Sequence, residues 1–533
     1  MRKIKLWRKS LMAAGLGLSV VMSSLSSASV AAAEYDVVNE TPEDTEKVET
    51  ATNETVNEVN DSVKVEPEAG AGTNAEKAAK TEEIKAEDTE TQKEEQAEGA
   101  EKTEKETETD LENDATSPIS TEEITITAAD EKAASTPSNL APRSPKAADN
   151  AAVNRDNIHD GAILQAFCWS FNTIAENMAD IADAGYTAVQ TSPINECLDT
   201  NPGKNLHGPD GMWYYHYQPT DWVIGNYQLG TRDEFKHMCD VADEYGIAVI
   251  VDILPNHTTP SMGNVSEALI EAAGGKDALY HTTGTIGGGY SDRLELTYYA
   301  MGGLPDVDTE NIGFQEYFYE FLKDCVYLGA DGFRIDTAKH ISLPDDPVTS
   351  DYTDTDRNTF YPNMREALNE YAGEVGTKSY NELFVYGEVL QGSSDRLAGY
   401  QEYIGGTTAS NYGSSLRSAL ASGNLSVNKI TDYQINDETV NGRTYTADSE
   451  KLITWVESHD NYMNDSESCW KSINDEQVIL GWSFIGARKA GTPLFFSRPD
   501  GSSAENPYGN NLIGEAGSDI YKAPEVKAVN LFR

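Results

Sequence analysis

Gly329-Ala330-Asp331-Gly332-Phe333-Arg334-Ile335-Asp336-Thr337-Ala338-Lys339-His340 is the stretch that decides the fold. Phe333 and Ile335 alternate with Arg334 and Asp336, the period of a short strand, and the chain then passes into small and basic residues. The strand ends on a carboxylate. Arg334, two residues earlier, lies on the same side of that strand and is placed to keep Asp336 ionised and oriented. By itself an Arg-x-Asp is more often a structural ion pair, but two further apolar runs finish alike: Leu383-Phe384-Val385-Tyr386-Gly387-Glu388, and Leu452 to Val456 leading to Glu457-Ser458-His459-Asp460. Three strand-end acids weaken the structural reading. In a parallel α/β barrel, strand ends form the face where catalytic groups gather.

Strands and helices alternate on both sides of this stretch. Ile163 to Trp169, Tyr186 to Pro193 and Ala248 to Asn256 read as the first three strands. Phe171 to Ala184 (capped by Asn172), Arg232 to Tyr245 and Phe314 to Leu328 read as helices. Asp336 closes strand four, Glu388 strand five and Asp460 strand seven, and Thr492 to Arg498 is strand eight. The rhythm predicts a (β/α)8 TIM barrel over residues 151–533. Between strands three and four, His257 to about Asp308 is Gly- and Thr-rich and too long for an ordinary connection.

The 533 residues carry a formal charge of -49, which argues against nucleic acid or an anionic membrane as partner and for a neutral or cationic substrate. Residues 1–33 read as a signal peptide: Arg2, Lys3, Lys5, Arg8 and Lys9, an apolar run around Leu11 to Met22, then Ala31-Ala32-Ala33. A secreted, extracellular protein is the expectation, with association at the cell surface left open. Residues 34–150 hold 33 acidic and 11 basic residues with Tyr35 as the only aromatic, too little apolar surface to offset chain entropy, so a disordered acidic segment is expected. Pro137, Pro142 and Pro145 mark a linker. The five cysteines lack Cys-x-x-Cys spacing and are odd in number, unlike a disulfide framework or a zinc site.

With Val251-Asp252-Ile253-Leu254-Pro255-Asn256-His257, the three strand-end segments resemble, in order, the motifs of the α-amylase family of glycoside hydrolases. The likeness runs from about Ile163 to Arg533 and is nearest to secreted bacterial members of the Bacillus subtilis type. The resemblance implies a retaining endo-hydrolase of α-1,4-glucosidic bonds in starch and maltooligosaccharides, with Asp336 as nucleophile, Glu388 as general acid/base and Asp460 as the third acid. It casts the 257–308 segment as a small domain B. It places Tyr217 as a platform at the cleaved sugar, Tyr214 one sugar away, Gln218 nearby, His257 and His459 as donors to sugar hydroxyls, and Lys339 and His340 on the leaving-group side. Arg334 joins these substrate-side residues. It also implies Ca²⁺ held by Asn256, Asp306 and the main-chain carbonyls of Thr297 and His340. Ser458 stands where chloride-dependent relatives carry Asn, so no chloride requirement is expected. A monomer is expected. The chain stops inside what reads as the last barrel helix, which suggests a partial sequence. Two other readings stay open: a transglycosylase or debranching relative, which would keep all three acids and differ in its loops, and a non-catalytic starch-binding protein, which would have lost one.

Overall fold

Eight parallel strands close into a ring: β1 (Ile163–Ala166), β2 (Ala188–Thr191), β3 (Ala248–Ile253), β4 (Gly332–Ile335), β5 (Phe384–Gly387), β6 (Gly406–Thr408), β7 (Leu452–Trp455) and β8 (Thr492–Phe496). Each pairs with its neighbours in sequence, and β8 returns to β1 through Ile163 beside Leu494. The computed structural model describes residues 155–199, 203–207, 212–287, 290–348, 358–463, 469–510 and 512–533. The expected leader and acidic segment lie outside them.

Side-chain parity sorts the strands into two cores. Leu164, Val189, Val251, Phe333 and Val385 point outward into the layer under the helices, whereas Ile163, Ala188, Ile250, Phe384, Ile453 and Leu494 fill the barrel interior. Residues two apart share a side. The inward set of β3, β4 and β5 therefore continues upward from Ile250 to Asp252, from Gly332 through Arg334 to Asp336, and from Phe384 through Tyr386 to Glu388. Position 332 has to be glycine, since a Cβ there would stand 2.1 Å from the Phe384 carbonyl oxygen.

The helices follow their local signals. Arg232–Tyr245 opens on a capping box, Thr231 with Glu234, and stops at Gly246 in the left-handed region (φ 69°). Ile312–Leu328 is capped by Asn311 and buries Phe314, Phe318, Leu322 and Cys325 at helical spacing. The first helix departs from expectation. Ser170, not Asn172, caps it, and Asn177 splits it into Phe171–Glu176 and Met178–Asp183. Asn172 instead donates to Glu234, 2.7 Å away.

Between β3 and β4 the chain leaves the barrel through the short helices Glu267–Ala272, Lys276–Leu279 and Arg293–Tyr298. His257 bridges to Asp306, and Tyr280 to Val307, at the foot of this insert. All five cysteines are buried and stand outside any disulfide. Among the described residues no helix is long and apolar enough to cross a membrane.

Candidate active site

One guanidinium gathers the acids at the carboxyl ends of β3, β4 and β5. The strand register sets Asp252 beside Arg334, and Arg334 beside Tyr386. Arg334 Nη1 donates to both oxygens of Asp252 (2.8 and 2.9 Å) and to Asp336 Oδ1 (2.7 Å), while Nη2 donates to Glu388 Oε2 (2.9 Å). The ladder extends one step past the strands, with Asp336 N on Ile253 O and Glu388 N on Ile335 O, both 2.8 Å. Main-chain bonding thus fixes both acids on the rim. The backbone N–H of Thr337 also donates to Glu388 Oε2 at 2.9 Å. Thr337 holds φ at 48°, a costly conformation for a β-branched residue and one that the surrounding bonds impose.

Asp460 does not close β7 as expected. It sits in the first turn of the helix His459–Met463, beyond the strand, and is half-buried. Its neighbour His459 stacks between Tyr217 and Phe167, with centroids at 5.2 and 5.5 Å. The Gln165 amide nitrogen lies 3.0 Å from His459 Nδ1, which leaves the proton of the neutral ring on Nε2, 3.4 Å from Asp460 Oδ2.

The balance of charge decides protonation. Four acids (Asp252, Asp336, Glu388 and Asp460) crowd one guanidinium, which cannot neutralise them all. Burial pushes Asp252 up to about 7 against the pull of Arg334. Burial raises Glu388, again opposed by Arg334 and reinforced by Asp336. Burial, then the charge of Glu388, raises Asp460 well above the usual carboxylate range. Burial thus favours the protonated form of Asp252, Glu388 and Asp460, the direction that a general acid needs.

The flanking residues meet the expectations unevenly. Tyr217 is half-buried, and its hydroxyl donates to Asp252 Oδ2 at 3.0 Å. Tyr214 packs edge-on against Trp213 and Tyr215. Gln218 ends the turn Trp213–Tyr217, its N–H bonded to Tyr215 O. His257 is corrected as a donor. Burial lowers its pKa to about 4, and the single N–H of the neutral ring goes to Tyr217 O, 3.1 Å from Nε2, leaving Nδ1 only as an acceptor. His340 likewise directs Nδ1 at Leu296 O (2.8 Å), and Lys339 Nζ lies 3.4 Å from Asp395 and over the Tyr290 ring.

Of the expected calcium residues, Asn256 and Asp306 meet: the amide nitrogen lies 3.2 Å from Asp306 Oδ1. The His340 bond to Leu296 brings the segment before Thr297 to the turn after β4. The buried Asp306 is raised to about 6 by burial, with His281 Nδ1 at 2.7 Å from Oδ2 pulling the other way. A buried carboxylate, an amide that can present its oxygen after a half-turn and two nearby main-chain segments form a hard-oxygen set that fits calcium. His281 went unremarked in the sequence. It is also within 3.5 Å of Asp308 and 3.0 Å of Glu310. Asp252 and Gln165 were missed too; the signal for Asp252 was an acid inside an otherwise apolar strand.

A closed parallel barrel whose strand ends deliver clustered acids and a buried arginine defines the class of the molecule. A family model described as "Alpha amylase, catalytic domain" matches residues 168–477, and the chain belongs to the α-amylase family. An α-amylase of Butyrivibrio fibrisolvens is 82% identical over 412 residues, 77% of this chain and 42% of that protein. One from Clostridium acetobutylicum is 34% identical over 380 residues, 71% of this chain and 44% of that protein. The chain spans less than half the length of these curated relatives. A mutant α-amylase I of Eisenia fetida, solved with maltohexaose, shares the fold with a TM-score of 0.52 at 17% identity, covering 70% of this chain and 77% of that one.

Proposed function

We propose that the chain is the catalytic part of a secreted, retaining endo-α-amylase that hydrolyses internal α-1,4-glucosidic bonds of starch and maltooligosaccharides. The observation that carries this is the attachment of Asp336 and Glu388 to the two arms of one guanidinium, in a chain of this family. Asp336 is the nucleophile and Glu388, with its raised pKa, protonates the leaving oxygen. Asp460, beside His459, grips hydroxyls of the sugar whose ring is distorted toward the oxocarbenium ion. Attack by Asp336 on the anomeric carbon breaks the bond to the leaving sugar oxygen, which takes the proton of Glu388. Water, deprotonated by Glu388, then releases the product from the glycosyl ester. The maltohexaose bound by the Eisenia fetida neighbour supports the substrate class. The charged leader of residues 1–33 supports secretion.

That Asp336 and Glu388 accept from the two arms of one guanidinium favours a spacing near the roughly 5–5.5 Å of retaining enzymes. Incubation with soluble starch should release maltooligosaccharides whose proton NMR spectrum, taken before mutarotation, shows the α-anomeric signal first. A β signal first would exclude the ester on Asp336, and absence of cleavage would exclude the function.

Calcium would be held by Asn256 and Asp306 with carbonyls of Thr297 and His340. Bound there it supplies no bond-breaking chemistry and ties the insert to the barrel. Because such an ion binds only the folded chain, a calcium concentration about a hundredfold over its Kd stabilises by about 2.7 kcal/mol. A strong chelator should accordingly lower Tm by several degrees and calcium should restore it; the same Tm with and without chelator would rule the site out.

A further inference from the structure

The turn 338–343, which follows the nucleophile, is held by side chains from outside it. Arg293, on the insert, donates from Nη1 to Lys339 O (2.8 Å). Tyr400 OH donates to Ile341 O (2.5 Å) with Lys339 O also within reach (3.0 Å), and Tyr361 OH donates to Ala338 O (2.9 Å). Asp346 Oδ2 accepts from Leu343 N (2.7 Å) and from Arg293 Nε (3.0 Å), while its Oδ1 accepts from Arg396 Nη1 (2.6 Å). Arg396 also donates to Asp345 (2.8 Å), and, like Thr337, is a non-glycine residue in the left-handed region (φ 56°).

Withdrawing two arginines and their aspartates, Asp345 and Asp346, from water is a costly way to obtain stability, since well-packed apolar side chains often serve as well. Directional grip on specific carbonyls is what such a cluster adds. The gripped turn directly follows Thr337, whose N–H orients Glu388, and carries Lys339 and His340.

Resting on the amylase reading above, the geometry points to Arg293, Asp346, Arg396 and Tyr400 as positioning residues that hold the leaving-group side of the cleft in register with Glu388. Asp346, Arg396 and Tyr400 are buried, so the role assigned to them is to hold the turn and not to contact substrate. Their effect falls on substrates that place sugars beyond the cleaved bond and need a proton on the leaving oxygen. It spares substrates with an activated aryl leaving group and no sugar there.

Arg293→Lys keeps the charge but loses the fork that spans Lys339 O and Asp346. In the full chain, kcat/KM on amylose should fall between about tenfold and a hundredfold, the penalty of a misplaced group, while kcat/KM on a nitrophenyl maltotrioside stays within about twofold. Tyr400→Phe, which removes only one hydroxyl, should shift the same ratio in the same direction by less and reads the proposal even if Arg293→Lys fails to fold by circular dichroism. Equal loss on both substrates, or no change on either, in a folded variant overturns the positioning role. A wild-type chain inactive on both would instead refute the amylase reading.

Discussion

Asp336→Asn should leave a folded protein that turns over soluble starch slower by roughly four to six orders of magnitude, the range seen when a covalent nucleophile is removed. An amide nitrogen or oxygen cannot form the glycosyl ester, and no neighbouring acid stands in. Asp252 is committed to Arg334 Nη1 through both oxygens and to the Tyr217 hydroxyl, and lies further down the barrel. The loss corresponds to about 5–8 kcal/mol of transition-state stabilisation. Structure should survive, because the asparagine oxygen still accepts from Arg334 and the variant removes negative charge from a site that has too much. The check pairs kcat at saturating starch with a thermal melt; turnover within tenfold of the wild type, in a protein of unaltered Tm, would sink the nucleophile assignment.

Glu388→Gln should cost starch hydrolysis about two to four orders of magnitude, the usual reach of general acid catalysis. The amide oxygen can still accept from Thr337 N and Arg334, so the variant isolates the proton from the scaffold. Nitrophenyl maltooligosides, whose leaving group needs no proton, should lose far less in the first step and accumulate the glycosyl ester. The pH profile gives a second reading. Burial raises the pKa of Glu388, so the group stays protonated above the usual glutamate range, and kcat/KM on starch should fall as pH climbs through that raised value. In the variant this alkaline limb should disappear. Equal losses on both substrates, or an unmoved limb, would assign the acid elsewhere.

The barrel and the rim positions of Asp336 and Glu388 were legible because period-two alternation puts Arg334, Asp336 and Glu388 on inward positions of strands whose apolar partners face the helices. Strand β6 was not: Gly-Thr-Thr has no apolar period and pairs over only a few residues. Asp252 was in view within its motif yet silent, since its role exists only once the register sets it beside Arg334. Asp460 and His459 read as a strand end because the apolar run leading to them is continuous, but the chain bends into a helix first. The hydrogen that His257 was expected to offer a sugar is spent on Tyr217, a contact between residues 40 positions apart that no local pattern encodes. His281 was hidden likewise, because its acids lie 25 to 29 positions further along the chain.

The ring of strands closes by pairing its first member with its last, Ile163 with Leu494. Synthesis runs from one end, so the circle cannot be completed until nearly the whole catalytic region has been made, and the late pairing spans most of it. Until then Cys168, Cys197, Cys239, Cys325 and Cys469, all shielded in the finished barrel, lie open to solvent. Thiol oxidation before ring closure would therefore compete with folding, and a reductant present during refolding, but not after it, should raise the yield of folded protein.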